Sequence, residues 1–471
     1  LHSPAYYRPI VTLSFMFDAQ ISGASPFFYH LTNVFYHAIA SVLVFLFLKK
    51  LKFDEKKSFY LTLIFAVHPV LTQAVSWIPG RNDSLLTIFT LSTFIFFINY
   101  LEKRRFVDLV FSWVFFALSL FTKESALLIP FFIIFYLLLF KRQKIIFLFE
   151  VSLGWWLIGF FWLILRQNAI NNVLYLSVNQ MLKAIFNNYP ALIQYFGKIF
   201  FPFNLSVLPT IKDTTFFFGI AAIIFFIILV FFGKVNSLSK FIFGFFWFIF
   251  FLLPNLINNK PSIFSEFLEH RLYLSLIGLL IAIASIKRID FLFATHSGKK
   301  IIFLILIIFS LINFFHQFTF RNRLVFWENA VKTSPHSPLA QRNYAVMLYF
   351  EKKYNQALFH YQKALALNPK EPMVHNNIGV IYMNQKKLKQ ALDEFKKELA
   401  VNPGYDNALF NLGAVYYQLG EKDKAKEYFE KTLLVNPDCL SCYQYLAAYY
   451  QEKNNPQKSA YYLQIYQEKS K

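Results

Sequence analysis

Three short stretches of this 471-residue chain set side chains that can carry charge or a proton directly against apolar sequence. The first runs from Phe65 to Asp83 and gathers His68, Gln73, Trp77, Arg81 and Asp83. The second is Lys123-Glu124, and the third is Glu269-His270-Arg271, with Glu266 just before it and Tyr273 just after. Arg8, between Tyr7 and Pro9, and His30, at the start of a long apolar run, complete the set. Histidines and carboxylates can take or hold a proton, and arginines can hold an anion. Charges this close to hydrocarbon are costly unless they are paired or used. Each stretch also has a plainer reading. Lys123-Glu124 can be a structural ion pair, and the 266–271 cluster can cap a helix and snorkel. His30, Asn33, His37 and Ser41, which share one helical face, can simply hydrogen-bond between helices.

The elements that must hold these groups are membrane helices. A chain that is 56% hydrophobic, with 62 Phe and 15% charged residues, does not describe a soluble protein. Apolar runs predict spans near 28–48, 57–68, 84–101, 106–121, 125–140, 145–165, 214–232, 241–254, 272–287 and 300–317. Residues 1–334 carry 29 Lys/Arg against 13 Asp/Glu, and 17 of those 29 fall in five loops, 49–57, 102–105, 141–144, 233–240 and 287–300. By the positive-inside rule these loops are cytoplasmic, so the three polar stretches and both ends of the membrane half face the opposite side. A nucleic-acid surface needs a basic stripe on a folded face, which loops between spans do not supply. Residues 183–203, broken by Pro190, Gly197, Lys198 and Pro202, read as an interfacial or re-entrant helix. Pro69 and Pro79-Gly80 predict a short helix between two bends, and Asp83 is expected to cap the helix that follows.

The rest of the chain is repetitive. Pro335, Pro369, Pro403 and Pro437 are spaced by 34, the tetratricopeptide period. Repeats beginning at 338, 372, 406 and 440 align Ala345, Gly379, Gly413 and Ala447 as small residues, then Ala357, Ala391 and Ala425, with Ser459 departing. Tyr361, Phe395 and Phe429 are the aromatics expected between helices. Three and a half to four units would stack into a superhelix that binds a peptide or partner protein. Two cysteines exclude a disulfide framework, and Cys439 and Cys442 read as incidental or packing residues. No His/Cys spacing resembles a zinc site.

Tyr7-Arg8-Pro9, Tyr29-His30 with Asn33 and His37, His68-Pro69 with Gln73, Trp77 and Gly80-Arg81, Lys123-Glu124, and Glu269-His270-Arg271 with Tyr273 precede these repeats. Together they resemble the transmembrane and tetratricopeptide-repeat O-mannosyltransferases and their bacterial relatives. The resemblance implies an all-α chain: a polytopic C-type glycosyltransferase-like bundle at 1–317, a juxtamembrane linker at 318–337 and a tetratricopeptide superhelix at 338–471. It implies transfer of a sugar from a polyprenyl-phosphate donor to a protein hydroxyl, with no cofactor and no metal. Membrane lipid, the lipid-linked sugar and an acceptor or partner protein on the repeats are the expected partners. The location would be a bacterial inner membrane with periplasmic repeats, or the endoplasmic reticulum with lumenal ones. Arg81 and Arg271, with Arg8, would stabilise the departing phosphate. His30, His68, Lys123, Glu124, Glu269 and His270 would be polar groups of the cavity. Gln73 stands where relatives commonly carry Glu, and the family's acidic pair, the source of a general base, is expected upstream of Leu1, after one further span. A non-catalytic membrane scaffold with a closed or apolar outer cavity is the alternative. A lipid-linked sugar transporter ranks last, because the inner halves of most spans are apolar walls.

Overall fold

The computed structural model describes residues 6–141, 145–170, 177–257 and 266–470, and the described chain is helical, with two isolated bridges, Thr210 to Glu266 and Val235 to Ile286. It divides into two compact units at Ser334 and Pro335.

In the first unit, α1 (Pro9–Ser22) and α2 (Pro26–Lys50) each begin on a proline, whose missing N–H is no loss in a first turn. Lys49 and Lys50 end α2, where cations suit the helix dipole. Asp54 caps α3 (Glu55–Ala66) by accepting from the Lys57 amide at 3.2 Å. Helix α3 stops where Pro69 bars helical geometry at His68, whose backbone is extended (φ −69°, ψ 122°). The short helix expected between two bends is α4 (Thr72–Ser76), and α5 (Arg81–Lys103) follows. Gly80 at the second bend has no room for a side chain, because a Cβ there would lie 2.8 Å from the carbonyl oxygens of Gln73 and Ala74. Asp83 stands in the first turn of α5 without capping it, since its carboxylate is engaged elsewhere.

Helices α6 (Phe106–Leu120), α7 (Ile129–Phe140), α8 (Ile145–Ala169), α9 (Val178–Asn188), α10 (Pro190–Phe200), α11 (Phe217–Gly233), α12 (Leu238–Leu252), α13 (Tyr273–Ala284), α14 (Asp290–Ala294), α15 (His296–His316) and α16 (Arg323–Thr333) complete the unit. Each of the ten apolar segments read from the sequence contains a helix. Among the described residues four stretches are long and apolar enough to cross a membrane: Pro26–Lys50, Ile78–Lys103, Leu238–Leu256 and His296–Phe320. The pair Glu55–Ala66 and Pro69–Ser76, bent by 51°, makes a fifth if counted as one broken span. Residues 183–203 take in the second half of α9 and all of α10, two eleven-residue helices that meet at Tyr189. At ~1.5 Å per residue neither reaches across a bilayer alone.

Helix α13 is the centre, with every residue from Tyr273 to Ala282 buried. It meets α12 where Gly244 and Gly278 oppose each other, the close backbone approach that small residues allow in membranes. The Phe-rich composition is used here: Trp247 lies 5.1 Å from Phe94 and 4.9 Å from Phe251, ring to ring, and its indole N–H donates to the Leu274 carbonyl at 2.9 Å. The stretch 318–337 is largely helical. Within it, α16 is tied to the loop at 206–208 by Thr333 to Ser206 (2.6 Å), Asn329 to the Val207 amide (3.3 Å) and Ser334 to the Leu208 carbonyl (2.6 Å).

The second unit is four antiparallel helix pairs: α17 (Pro338–Phe350) with α18 (Tyr354–Leu367), α19 (Val374–Asn384) with α20 (Leu388–Val401), α21 (Asp406–Gln418) with α22 (Lys422–Val435), and α23 (Leu440–Glu452) with α24 (Pro456–Lys469). Ala345, Ala357, Ala391, Ala425, Ala447, Tyr361, Phe395 and Phe429 are all buried, as the 34-residue register requires. Cys439 and Cys442 are joined by a disulfide at the start of α23, which corrects their reading as incidental, while Cys442 is also buried in the repeat core as a packing residue.

Candidate functional site

The polar stretches converge because the chain reverses between spans. Arg8 precedes α1, Trp77 to Asn82 open α5, Lys123 to Ser125 join α6 to α7, Arg166 ends α8, and Glu266 to Arg271 lead into α13. These ends surround a cavity of about 840 Å³, closed further by Tyr6, Met181, Pro254, Asn255 and Ile257. They are the loops that the charge bias assigns to the face opposite the basic ones.

Five of the expected residues line this cavity: Arg8, Lys123, Glu124, His270 and Arg271. Arg8 forks onto Glu124, with Nη2 to Oε2 at 2.7 Å and Nε to Oε1 at 3.4 Å, and its guanidinium lies 4.2 Å from the Tyr6 ring. Lys123 Nζ sits 2.6 Å from Asp83 Oδ1. The other Asp83 oxygen faces His270 Nε2 at 3.9 Å, beyond hydrogen-bond reach. Burial drives the His270 pKa from 6.5 down to about 3, against an opposing pull from Asp83, so the ring is neutral at ordinary pH. Arg271 donates from Nη1 to the Asn255 carbonyl at 3.2 Å and remains half-buried at the wall.

The other five stand outside this lining. Arg81, expected at the phosphate, is fully buried and pairs with Asp18 at 2.6 Å. It donates further to Asn33 Oδ1 (2.9 Å), the Tyr29 carbonyl (3.0 Å), Thr32 (3.1 Å) and the Ser14 carbonyl (3.2 Å), and it covers the Phe15 ring. Glu269 accepts from the Ser206 amide and from Lys198, both at 2.9 Å, which pins the 204–208 loop. Gln73 bridges two segments, donating to the Val207 carbonyl (3.0 Å) and accepting from the His270 amide (3.3 Å). His68 lines a separate pocket of about 140 Å³ with His37, Thr72 and Asn313. His30 is half-buried on α2, and the polar stripe it begins is spent on interhelical bonds: Asn33 to the Val75 carbonyl (3.1 Å), and His37 to Tyr273 and to the Ala66 carbonyl (2.9 Å).

The sequence reading missed Arg166 and Asn255. Arg166 closes the apolar run of α8 as its one basic residue after Lys144, and that isolation was the available signal. Asn255 enters only because the turn after Leu252 curls back over the cavity. Four cations line the wall, Arg8, Lys123, Arg166 and Arg271, against two carboxylates, Glu124 and Glu266. Such a wall favours an anionic ligand. Among the described residues no group of three His, Cys, Asp or Glu could hold a metal ion.

Residues 9–167 match the family described as dolichyl-phosphate-mannose-protein mannosyltransferase, and residues 346–386 and 407–439 match tetratricopeptide repeats. The chain is 43% identical over 89 residues to human protein O-mannosyl-transferase TMTC3, a match covering 19% of this chain and 10% of the relative. It is 37% identical over 107 residues to mouse protein O-mannosyl-transferase TMTC2, covering 23% and 13%. To Caenorhabditis elegans protein O-mannosyl-transferase F38B6.6 it is 35% identical over 126 residues, covering 26% and 17%. Each match spans less than a fifth of the relative's own length. Among solved structures, that of MamA aligns at 23% identity with a TM-score of 0.29, covering 31% of this chain and 86% of that one. The Pseudomonas aeruginosa pilF structure aligns at 26% identity and 0.30, covering 31% and 66%. The chain therefore resembles the dolichyl-phosphate-mannose-protein mannosyltransferases in its membrane unit and the tetratricopeptide proteins in its repeats, which is the pairing its motifs led us to expect.

Proposed function

We propose that this is a membrane glycosyltransferase that moves a sugar from a polyprenyl-phosphate donor to a protein hydroxyl, with the repeats engaging the acceptor or a partner protein. The observation that carries the reading is the cavity itself: three separated segments bring Arg8, Lys123 with Glu124, and His270 with Arg271 to one end of an apolar bundle. That is where a lipid-borne anion can reach charged groups without its chain leaving the membrane. A non-catalytic scaffold predicts a closed or apolar face, and this wall is open and charged.

In the reaction the acceptor oxygen attacks the anomeric carbon, the bond from that carbon to the phosphate oxygen breaks, and the hydroxyl proton passes to a base. Charge grows on the departing phosphate, so a guanidinium aimed at it gains strength as the bond breaks. Arg271, half-buried with one N–H donated to Asn255, is suited to that work. Arg8 and Lys123 are committed to Glu124 and Asp83, and they set the shape of the wall. Arg81 and Glu269 act from behind, holding α1 and the 204–208 loop.

The test is transfer of radiolabelled sugar from polyprenyl phosphate to native membrane acceptors, comparing this chain with a version extended upstream. Transfer by the extended form, reduced about 10²-fold or more by Arg271→Ala, is the expected result. Normal transfer by the Arg271→Ala form would overturn the assignment, and no transfer by either form would move the reading to the scaffold.

A further inference from the structure

We propose that Arg166, which no motif marks, is a direct contact for the phosphate of the lipid-linked donor, acting beside Arg271; this rests on the reading of the cavity above. The four lining cations are not equivalent. Arg8 spends both edges of its fork on Glu124, and Lys123 is held at 2.6 Å by Asp83. Arg271 gives an N–H to the Asn255 carbonyl. Arg166 is left with a buried Nε that has no hydrogen-bond partner among the described residues. That Nε is closed to solvent; what a ligand or water can use is the rest of the guanidinium, which stands in the cavity wall and whose contact among the described residues is the Trp162 ring.

Local structure explains how the group is aimed. Trp162 is buried in the bundle and fixes that turn of α8. Arg166 follows at i+4 on the same helical face, with its guanidinium carbon 5.9 Å from the indole ring. A cation in the last turn of a helix is stabilised by the helix dipole, which accounts for the residue type. It does not account for a guanidinium placed in the cavity wall. A planar fork of donors fits two phosphate oxygens at once, and an ammonium in its place would fit them only as a point charge. During transfer the phosphate goes from a diester with one negative charge to a monoester approaching two, so Arg166 would hold the leaving group more tightly than the bound donor.

The experiment is binding of a fluorescent polyprenyl phosphate to the full chain in lipid nanodiscs, with transfer assayed in the upstream-extended form. Arg166→Ala is expected to weaken binding about tenfold and to lower kcat more than it raises donor KM, with Arg166→Lys losing less. Lys183→Ala, which removes an exposed cation of α9 outside the cavity lining, is expected to bind as wild type. Inorganic phosphate as competitor should not displace the lipid at equal concentration; displacement would make this a free-phosphate site and overturn the donor assignment. Wild-type binding by Arg166→Ala, alongside loss in Arg271→Ala, would overturn the role of Arg166 and leave the function standing. Failure of the wild type to bind would overturn both.

Discussion

The carboxylate of Asp18 and the guanidinium of Arg81 meet at 2.6 Å with neither side chain exposed to solvent. The pair fastens α1 to the start of α5, and Arg8, the residue just before α1, reaches the cavity from the opposite end of that anchored helix. Removing one partner of a buried pair strands the other charge, typically at a cost of about 3–5 kcal/mol. Arg81→Ala is therefore expected to lower the melting temperature of the detergent-solubilised protein sharply. Arg81→Lys should recover only part of the loss, because one ammonium cannot serve Asn33, Tyr29, Thr32 and Ser14 together. A melting temperature unchanged in Arg81→Ala would show that α1 is held some other way.

Arg8 and Glu124 should be coupled in a double-mutant cycle. Their side chains are roughly a fifth and a quarter exposed, so the coupling should be near the upper end of the ~0.2–1 kcal/mol range for surface pairs, helped by the forked geometry. Glu124→Gln releases a guanidinium into the cavity, and polyprenyl phosphate is expected to bind at least as tightly to it as to the wild type. Weaker binding would assign Glu124 a direct part in holding the ligand.

His270 makes stability depend on pH. Its folded pKa of about 3 lies below the ordinary 6.5, so the unfolded chain takes up the proton first. The contribution is fully present above about pH 6.5 and is lost as pH falls toward 3, on the order of a few kcal/mol across that window. His270→Gln should flatten the decline in melting temperature from pH 6.5 to 4 relative to wild type. Identical slopes would mean that the ring stays accessible to protons in the folded protein.

Reduction of the Cys439 to Cys442 bond should be felt locally. So short a loop constrains the unfolded chain by at most about 2 kcal/mol. Repeats contact only their neighbours, so hydrogen exchange should quicken in α23 and α24 while α17 to α20 keep their protection. Loss of protection throughout the stack would show that the last pair nucleates the rest.

Much of this architecture could be read from the sequence. The 34-residue register placed Ala345, Ala391 and Phe429 in the core, because a repeat fixes spacing more strictly than any single propensity does. Pro69 and Pro79-Gly80 located α4 because backbone restrictions act locally. The roles of Arg81 and Glu269 were not legible. A buried arginine paired with Asp18, sixty-three positions earlier, looks in sequence the same as one facing a ligand, and only the packing of α1 against α5 separates the two. Asp83 could not be distinguished from a helix cap for the same reason, since its partner Lys123 lies two helices away. Arg166 carried a faint signal, a single cation ending an apolar run, which became informative once the neighbouring ends were known.

In the repeat unit Gly379 and Gly413 leave room for the rings of Phe395 and Phe429, and a Cβ on either glycine would come within 3 Å of the ring it faces. Each contact lies inside its own 34-residue unit, and each unit presents the same kind of surface to the next. Stack length is thus decoupled from the membrane chemistry. Copying or deleting residues 372–405 in frame would change the length of the stack while leaving the cavity as it is, so the two units can vary independently in evolution and be engineered one at a time.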